Sequence, residues 1–260
     1  MTIDPSVLGN GLGHEPEWTA TVVGHHRLRH DLAVIRLIGE FVPFTAGQSV
    51  EVQVPRLPGL RRRLSPALPP SLDGKLEFHV RTVPGGWCSG SIVAETAPGD
   101  EWRIAAPLGT FLIDAAGPDV VMVAGGTGLA PMRAQILELA RKPRQPNTYL
   151  FLGGRSPRDL YAADMLVLLA EELPWLTVIP VVESQDDPHW ADEWYERARV
   201  DVGFAEDELL LGTLAEVVGS HGAFDDHQVF VCGSPAMTRA TVDRLIATGT
   251  PPELIQYEGI

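Results

Sequence analysis

A glycine-rich segment, AGGTGLAPM at Ala124–Met132, carries the strongest chemical signal in the sequence. It follows the β-branched run VVMVA and leads into a helical pattern that begins near Pro131. Its glycines allow a tight turn and let a ligand approach the backbone closely. Free N–H groups at the start of a helix bind anions, so the segment predicts a pyrophosphate site. An ordinary glycine-rich turn also fits, because Pro131 replaces the third glycine of the GxGxxG pattern.

Three consecutive arginines, Arg61–Arg63, stand before Leu64 and Ser65. A guanidinium can bind a phosphate through two parallel hydrogen bonds, and a serine hydroxyl can donate to a flavin ring nitrogen. The segment is therefore a candidate phosphate or flavin contact, although a solvated surface is the more common reason for three arginines.

Two glycines, Gly85 and Gly86, stand just before the expected start of a helix at Trp87. Ser89 falls in the first turn of that helix, where backbone and side-chain groups can bind an anion together. A tight turn with a helix cap fits the same residues.

Two kinds of domain are needed to position these segments. Short apolar runs broken by Gly and Pro over residues 17–116 predict an antiparallel barrel or sandwich, with one helix near Trp87–Glu95. Residues 117–260 alternate strand and helix patterns, which predicts a doubly wound parallel sheet. Residues 1–16 are expected to form a flexible tail and residues 184–208 an acidic insert. The helices expected in the second domain span residues 131–142, 157–173 and 235–249.

Charge and cysteine content exclude several classes of function. The 260 residues carry 20 Lys and Arg against 34 Asp and Glu, a net charge of −14 that disfavours nucleic acid. No apolar run is long enough to span a membrane and no signal peptide is visible, so a cytoplasmic location is expected. Two isolated cysteines, Cys88 and Cys232, cannot hold an iron–sulfur cluster or a four-cysteine zinc site, and no metal site is expected. An electron-transferring chain of this kind needs an organic cofactor or a metal-bearing partner.

Taken in their order along the chain, these segments resemble the ferredoxin–NADP reductase superfamily. The resemblance is greatest to the FAD/NAD(P)H reductase modules of flavohaemoglobins, globin–reductase fusions and multicomponent oxygenase reductases. It covers about residues 17–260 and implies an FAD-binding β-barrel followed by a doubly wound NAD-binding domain. The matching motifs are Arg-x-x-Ser at 62–65, Gly-Gly-x-x-Ser at 85–89, APLGTF at 106–111, GGTGLAP at 125–131 and CGSPAM at 232–237.

The resemblance implies a role for each residue that matches a family motif. On the FAD side, Arg62 pairs with a phosphate and Ser65 faces flavin N5. The backbone of one strand lines the ribityl chain and the ring edge, at His79, Val80 and Arg81. A glycine turn and the following helix hold the FAD pyrophosphate, at Gly85, Gly86, Trp87 and Ser89.

On the nicotinamide side, the resemblance assigns the dinucleotide loop to Gly126, Thr127, Gly128 and Pro131. Cys232 lies beside the nicotinamide, and its loop continues through Gly233, Pro235 and Met237. Glu258 lies close to the hydride path. The residues implied in the chemistry itself are Ser65, Cys232 and Glu258.

Two departures from the family concern the flavin ring. Leu64 occupies the place of a tyrosine, and Ile260 that of an aromatic residue that shields the flavin. Stacking on an aromatic side chain contributes about 1–3 kcal/mol, so FAD is expected to bind less tightly. Tyr257 could compensate in part, and the missing aromatic at Ile260 could ease entry of the nicotinamide.

Coenzyme choice is expected to depend on the segment Gly153–Asp159. Arg155 and Arg158 suit the 2′-phosphate of NADPH, whereas Asp159 suits the free 2′-hydroxyl of NADH. Family segments of the form Gly-x-Arg-x-x-x-Asp-Leu-Tyr usually go with NADH. The prediction is therefore NADH, with NADPH as the alternative.

The function that the resemblance implies is electron transfer from NADH through FAD to a separate acceptor protein. The chain offers neither cluster ligands nor a globin segment, so the metal centre is expected on the acceptor: an oxygenase, a ferredoxin or a haem protein. Leu64 and Ile260 keep one alternative open, a weakly flavin-binding or non-catalytic reductase-like subunit or regulator. A free-flavin reductase is a further possibility. The sequence favours no particular oligomeric state.

Overall fold

The amino-terminal part of the chain forms an antiparallel sheet of six strands. A computed structural model describes residues 16–83, 85–185 and 209–258 of the protein. The strands of the first sheet are β1 (Glu17–Arg29), β2 (Leu32–Gly39), β3 (Val50–Gln53), β4 (Arg61–Leu64), β5 (Lys75–Arg81) and β6 (Glu101–Ala105). Their order across the sheet is β4-β3-β6-β1-β2-β5.

Contacts between the two outer strands curl this sheet into a barrel. Just beyond β4, Pro66 forms an antiparallel bridge with Phe78 of β5, and the Ala67 N–H donates to the Glu77 carbonyl at 2.8 Å. Inside, the fully buried rings of Phe78 and Trp102 stack with centroids 5.9 Å apart. The barrel form of the predicted first domain is confirmed, and the sandwich alternative is not.

The second sheet is parallel and also has six strands. They are β7 (Val120–Gly125), β8 (Thr148–Gly154), β9 (Leu176–Val182), β10 (Leu210–Leu211), β11 (Gln228–Cys232) and β12 (Ile255–Glu258). The order β10-β9-β8-β7-β11-β12 means that the chain reverses its direction of winding between β7 and β11. Ligands of such sheets bind where the strand order reverses, at the carboxyl ends of the strands. Here that point lies between Gly125 and Cys232, and the predicted doubly wound fold is confirmed.

Five α-helices are seen in the described part of the chain. They are α1 (Trp87–Glu95), α2 (Leu129–Leu139), α3 (Ala163–Glu172), α4 (Leu214–Ser220) and α5 (Pro235–Ala247). The helix predicted at Trp87–Glu95 is confirmed. The α2 helix begins two residues earlier than expected, so Pro131 lies in its first turn, where a missing N–H still costs no hydrogen bond.

The prediction of one continuous helix over residues 157–173 is wrong at its beginning. Residues Pro157–Asp159 form a short 3₁₀ turn, and α3 starts only at Ala163. The physical reason is that Asp159 accepts a hydrogen bond from the Arg155 N–H at 3.2 Å and bonds to the barrel with its other oxygen. These bonds hold the segment in a turn.

The segment that links the two sheets runs from Ala105 to Val120. The domain boundary expected after residue 116 falls within this segment and stays a prediction. All but the last residue of the expected tail, nearly all of the acidic insert, and Ile260 lie outside the described residues. Within the described ranges, none of the helices combines the length and the apolar character that crossing a bilayer requires.

Candidate functional site

The three residues implied in chemistry lie together at the carboxyl edge of the parallel sheet. The Ser65 hydroxyl, just after β4 of the barrel, donates to Glu258 Oε2 at 3.3 Å. Cys232 and Glu258 are register partners on the neighbouring parallel strands β11 and β12. Arg63 Nη2, to which the family resemblance gave no role of its own, lies 3.4 Å from Glu258 Oε1. Residues from both domains therefore meet at one carboxylate.

Burial sets the protonation of this cluster. It raises the pKa of Glu258, and Arg63 and the hydrogen bond from Ser65 offset only part of that rise. Burial, assisted by the charge of Glu258, raises the pKa of Cys232 to about 12. The thiol is therefore neutral at ordinary pH, and a neutral buried thiol is a small apolar neighbour rather than a nucleophile.

The structure distinguishes the three arginines of β4 by their partners. Arg61 bonds to Glu17 at 2.9 Å, and Arg63 bonds to the Ser49 hydroxyl and to Glu258. Arg62 donates only to the neighbouring carbonyl of Arg61, at 3.3 Å, and among the described residues no carboxylate pairs with it. Arg62 is exposed, so its guanidinium is available to a phosphate, as the implied FAD contact requires.

The turn at Gly85 and Gly86 also fits a phosphate. The Ser89 hydroxyl, which was expected to help bind that phosphate, is instead bonded within the turn. Gly85 has φ +74° with nothing within 4 Å of a Cβ placed there, and no side chain caps α1 at Gly86. The first N–H groups of the helix are thus left for an anion. The Ser89 hydroxyl accepts from the Val83 N–H at 3.0 Å and donates to the Gly86 carbonyl, so it shapes the turn. Trp87, at the helix start, is 66% exposed.

The strand predicted to line the flavin by its backbone is β5, an outer strand of the sheet. Val80 is buried in the barrel core. The side chains of His79 and Arg81 are engaged elsewhere, since His79 bonds to Glu77 and Tyr161 and Arg81 bonds to two aspartates. One side of the backbone near the end of β5 remains unpaired by any strand of the described sheet, which fits the implied role.

The glycine turn after β7, which is predicted to bind a dinucleotide, is packed against the Cys232 loop. A Cβ at Gly128 would lie 2.1 Å from the Cys232 carbonyl oxygen, so only glycine permits this approach. Met237 fills the space beneath, because Cβ atoms at Gly125 and Gly233 would lie 2.6 and 2.2 Å from its terminal methyl. Neither the 3₁₀ turn Gly126–Gly128 nor α2 has a side-chain cap, which leaves backbone N–H groups for an anion. Thr127 is half-buried in this turn, and Pro235 is the first residue of α5.

The Asp159 carboxylate is not free to bind the 2′-hydroxyl of a coenzyme. Its Oδ1 lies 2.6 Å from Arg29 Nη1 and 2.7 Å from Arg81 Nη2, both in the barrel. Burial alone would raise its pKa, but these arginines lower the pKa of Asp159 below its usual value. Both of its oxygens are engaged, so the argument for NADH from Asp159 loses its geometric basis. Arg155 and Arg158 are exposed.

Replacing Arg62 by glutamine is expected to weaken FAD binding about ten- to a hundredfold. A hydrogen bond to a charged group contributes about 1.5–3 kcal/mol, and Arg62 has no carboxylate in the described structure to neutralise it. The measurement is quenching of FAD fluorescence on titration with protein. The matched control is Arg61→Gln, which removes a surface ion pair with Glu17 and should change the affinity less than about twofold. Equal losses in both variants would contradict the assignment.

Comparisons with known proteins agree with this arrangement. Residues 19–113 match the oxidoreductase FAD-binding domain family, and residues 122–243 match the oxidoreductase NAD-binding domain family. The chain is 34% identical over 248 residues to the reductase subunit of an aromatic O-demethylase from Amycolatopsis sp., covering 92% of this chain and 68% of that protein. It is 29% identical over 243 residues to the electron transfer component of xylene/toluene monooxygenase from Pseudomonas putida. There it covers 92% of this chain and 64% of the relative, just under two thirds of the relative's length.

Among solved structures, the ferredoxin reductase in carbazole 1,9a-dioxygenase aligns with a TM-score of 0.77 and 25% identity. The alignment covers 96% of this chain and 70% of that one. Motifs, fold and relatives all agree, and the chain belongs to the ferredoxin–NADP reductase superfamily, with an FAD-binding and an NAD-binding domain.

Proposed function

We propose that the protein passes electrons from NADH, through FAD, to a separate acceptor protein that carries a metal centre. The observation that carries the proposal is the contact at 3.3 Å between Ser65 of the barrel and Glu258 of the parallel sheet. It joins Ser65, which the resemblance places at flavin N5, with Glu258, which the resemblance places close to the hydride path. NADPH remains the alternative donor.

Bound FAD supplies the ability to take up a hydride and to release electrons singly to an acceptor. The chain's own contribution is orientation. In this proposal, Arg62 and the turn at Gly86 bind phosphates of FAD in the barrel, and the turn at Gly128 binds those of the nicotinamide dinucleotide in the second domain. Fixing two reactants in a productive orientation is a major source of rate enhancement. We further propose that Cys232, as a neutral thiol, fills the space beside the nicotinamide without acting on it as a nucleophile.

The nature of the acceptor is supported by the names of the relatives. They are described as electron transfer or reductase components of oxygenases, such as xylene/toluene monooxygenase and phenol 2-monooxygenase. We propose an oxygenase, a ferredoxin or a haem protein as acceptor, and a cytoplasmic location, where NADH is supplied. We place the boundary between the two domains after residue 116.

A flavin assay tests this function. The purified chain, supplied with FAD and freed of excess flavin, should be yellow and should bleach on addition of NADH without oxygen. NADPH serves as the comparison for coenzyme choice. A colourless protein that FAD cannot reconstitute would contradict the proposal and favour a non-catalytic subunit.

A second candidate, a free-flavin reductase, is favoured by Leu64, which packs partly against the barrel core and offers no aromatic ring. In that case FAD or FMN would turn over as a substrate, with a rate that depends on added flavin. If the protein reduces an acceptor protein with NADH at a rate that does not depend on added flavin, this candidate is excluded.

A further inference from the structure

Glu258, the last residue of β12, is held by side chains of the barrel. Arg63 Nη2 lies 3.4 Å from its Oε1, and the Ser65 hydroxyl donates to its Oε2 at 3.3 Å. Each carboxylate oxygen therefore has a partner from the other domain. The Glu258 side chain is 17% exposed and that of Arg63 is 52% exposed, so the ion pair is buried on the carboxylate side and open on the arginine side.

Arg63 is fixed within the barrel before it reaches Glu258. Its Nε donates to the hydroxyl of Ser49, a buried residue. The backbone of Ser49 is held in turn by two hydrogen bonds with Leu108, at 2.9 and 2.7 Å. Because the guanidinium is anchored in this way, its pairing with a carboxylate does not have to order a mobile side chain.

The turn at Gly109, in the APLGTF motif, leaves the space in which the two charges meet. A Cβ placed on Gly109 would lie 3.0 Å from Arg63 Nη2 and 3.2 Å from Glu258 Oε1. Gly109 also has φ +97°, a conformation that favours glycine. The resemblance gave this motif no role of its own, and here it lies against the ion pair.

Arg63 is the one charged side chain that pairs with Glu258 in the described part of the chain. Cys232, the register partner of Glu258, is a neutral thiol, and from α5 the Thr238 hydroxyl donates to the Glu258 backbone carbonyl at 3.4 Å. Burial raises the pKa of Glu258, and the charge of Arg63 opposes that rise more than the hydrogen bond from Ser65 does. An ionised carboxylate only accepts hydrogen bonds, whereas a protonated one can also donate. The charge of Arg63 therefore favours the state in which Ser65 donates to Glu258.

We propose that Arg63 is a positioning residue that keeps Glu258 an ionised hydrogen-bond acceptor for Ser65 at the junction of the two domains. The part that Ser65 and Glu258 play in the reaction rests on the proposed function. The single proton of the Ser65 hydroxyl is then committed to Glu258, and a ligand beside Ser65 meets an acceptor. Without Arg63, Glu258 would take up a proton at higher pH and could donate to Ser65 instead.

The test measures the pH at which Glu258 titrates, by NMR on protein with isotope-labelled glutamate carboxyl carbons. The signal of Glu258 is assigned by its loss in Glu258→Gln. We expect the midpoint to rise by about one pH unit in Arg63→Gln and to stay closer to wild type in Arg63→Lys, which retains the charge. Arg61→Gln is the matched control, because it removes an arginine of the same strand that pairs with Glu17 instead, and its midpoint should not change. An unchanged midpoint in Arg63→Gln would overturn the proposal.

Reduction of bound FAD by NADH provides a readout that a merely structural role would not move. In FAD-loaded protein, stopped-flow absorbance gives the reduction rate as a function of pH. The midpoint of this profile should shift upward in Arg63→Gln by an amount similar to the Glu258 midpoint, and should not shift in Arg61→Gln. A rate profile that stays in place while the Glu258 midpoint moves would also overturn the proposal. The expected titration of Glu258 in a protein that NADH does not bleach would instead contradict the proposed function and leave the pairing with Arg63 standing.

Discussion

Replacing Gly128 by alanine is expected to weaken binding of ADP-ribose and NADH about a hundredfold, while binding of FAD by the barrel persists. The new Cβ would lie 2.1 Å from the Cys232 carbonyl oxygen, 2.4 Å from the Cys232 carbonyl carbon and 2.8 Å from the Gly233 nitrogen. All three atoms belong to the backbone, so no rotation of a side chain relieves the overlap. The turn must move away from the Cys232 loop, and a cost of about 3 kcal/mol lies at the upper end for such overpacking.

Two further glycines provide graded controls for this experiment. Gly125→Ala meets the terminal methyl of Met237 at 2.6 Å, and a flexible methionine can move, so its loss of affinity should be smaller. Gly24→Ala, in the barrel, meets the Arg36 Cβ at an ordinary 3.6 Å and should leave dinucleotide binding unchanged. For each variant, the affinities for ADP-ribose and for NADH are measured by calorimetry on FAD-loaded protein. Wild-type affinity in Gly128→Ala, or a larger loss in Gly125→Ala, would show that the turn is not held as described.

Local patterns were sufficient to predict both sheets and the place of the glycine turns. The run VVMVA followed by glycines indicates a buried strand and a tight turn, and the structure has β7 and the 3₁₀ turn there. The strand–helix alternation after it gives the parallel order, because right-handed connections leave few arrangements. These features depend on residues that are neighbours in sequence.

Contacts between the domains could not be predicted in this way. Asp159 bonds to Arg29 and Arg81, which are 130 and 78 positions away in sequence, and Tyr161 bonds to His79, 82 positions away. Such pairs depend on how the barrel packs against the parallel sheet. The partners of the three β4 arginines could not be predicted from neighbouring residues either. Only the folded positions of Glu17 and Glu258 show that Arg61 and Arg63 have carboxylate partners and that Arg62 has none among the described residues. The pairing of Asp159 also explains why α3 begins late.

A further contact between the domains surrounds Glu77, which is 4% exposed. Its carboxylate accepts from Arg36 Nε at 2.7 Å and from Arg133 Nη1 of α2 at 2.9 Å, and it lies 3.1 Å from His79 Nε2. Burial lowers the pKa of His79, so a neutral ring can donate from Nε2 to Glu77 and accept at Nδ1 from the Tyr161 hydroxyl at 2.7 Å. The cluster joins β5 of the barrel to α2 and the segment before α3.

This cluster makes stability depend on pH. Burial alone would raise the pKa of Glu77, but the hydrogen bonds from His79 and Arg36 and the charge of Arg133 lower it from 4.5 to about 2. A carboxyl group with a depressed folded-state pKa stabilises the protein fully above its unfolded value. That contribution, about 3 kcal/mol, is therefore lost as pH falls from about 4.5 to about 2.

Glu77→Gln is accordingly expected to lower the free energy of unfolding by about 3–5 kcal/mol at neutral pH. Removing the carboxylate leaves Arg133, whose side chain is only 16% exposed, without its compensating charge at the domain junction. Urea unfolding at a fixed FAD concentration measures the loss, and the difference from wild type should narrow below about pH 4.5 as Glu77 itself becomes protonated.

The matched control is Asp73→Asn. The pKa of Asp73 is also lowered to about 2, through hydrogen bonds from Lys75 and Ser71, but this carboxylate is on the surface and Lys75 is exposed. Exposed ion pairs contribute little to folding, so this variant should unfold at nearly the wild-type urea concentration at neutral pH. Equal losses in the two variants, or a loss in Glu77→Gln that does not change with pH, would show that the buried carboxylate is not what holds the barrel to α2.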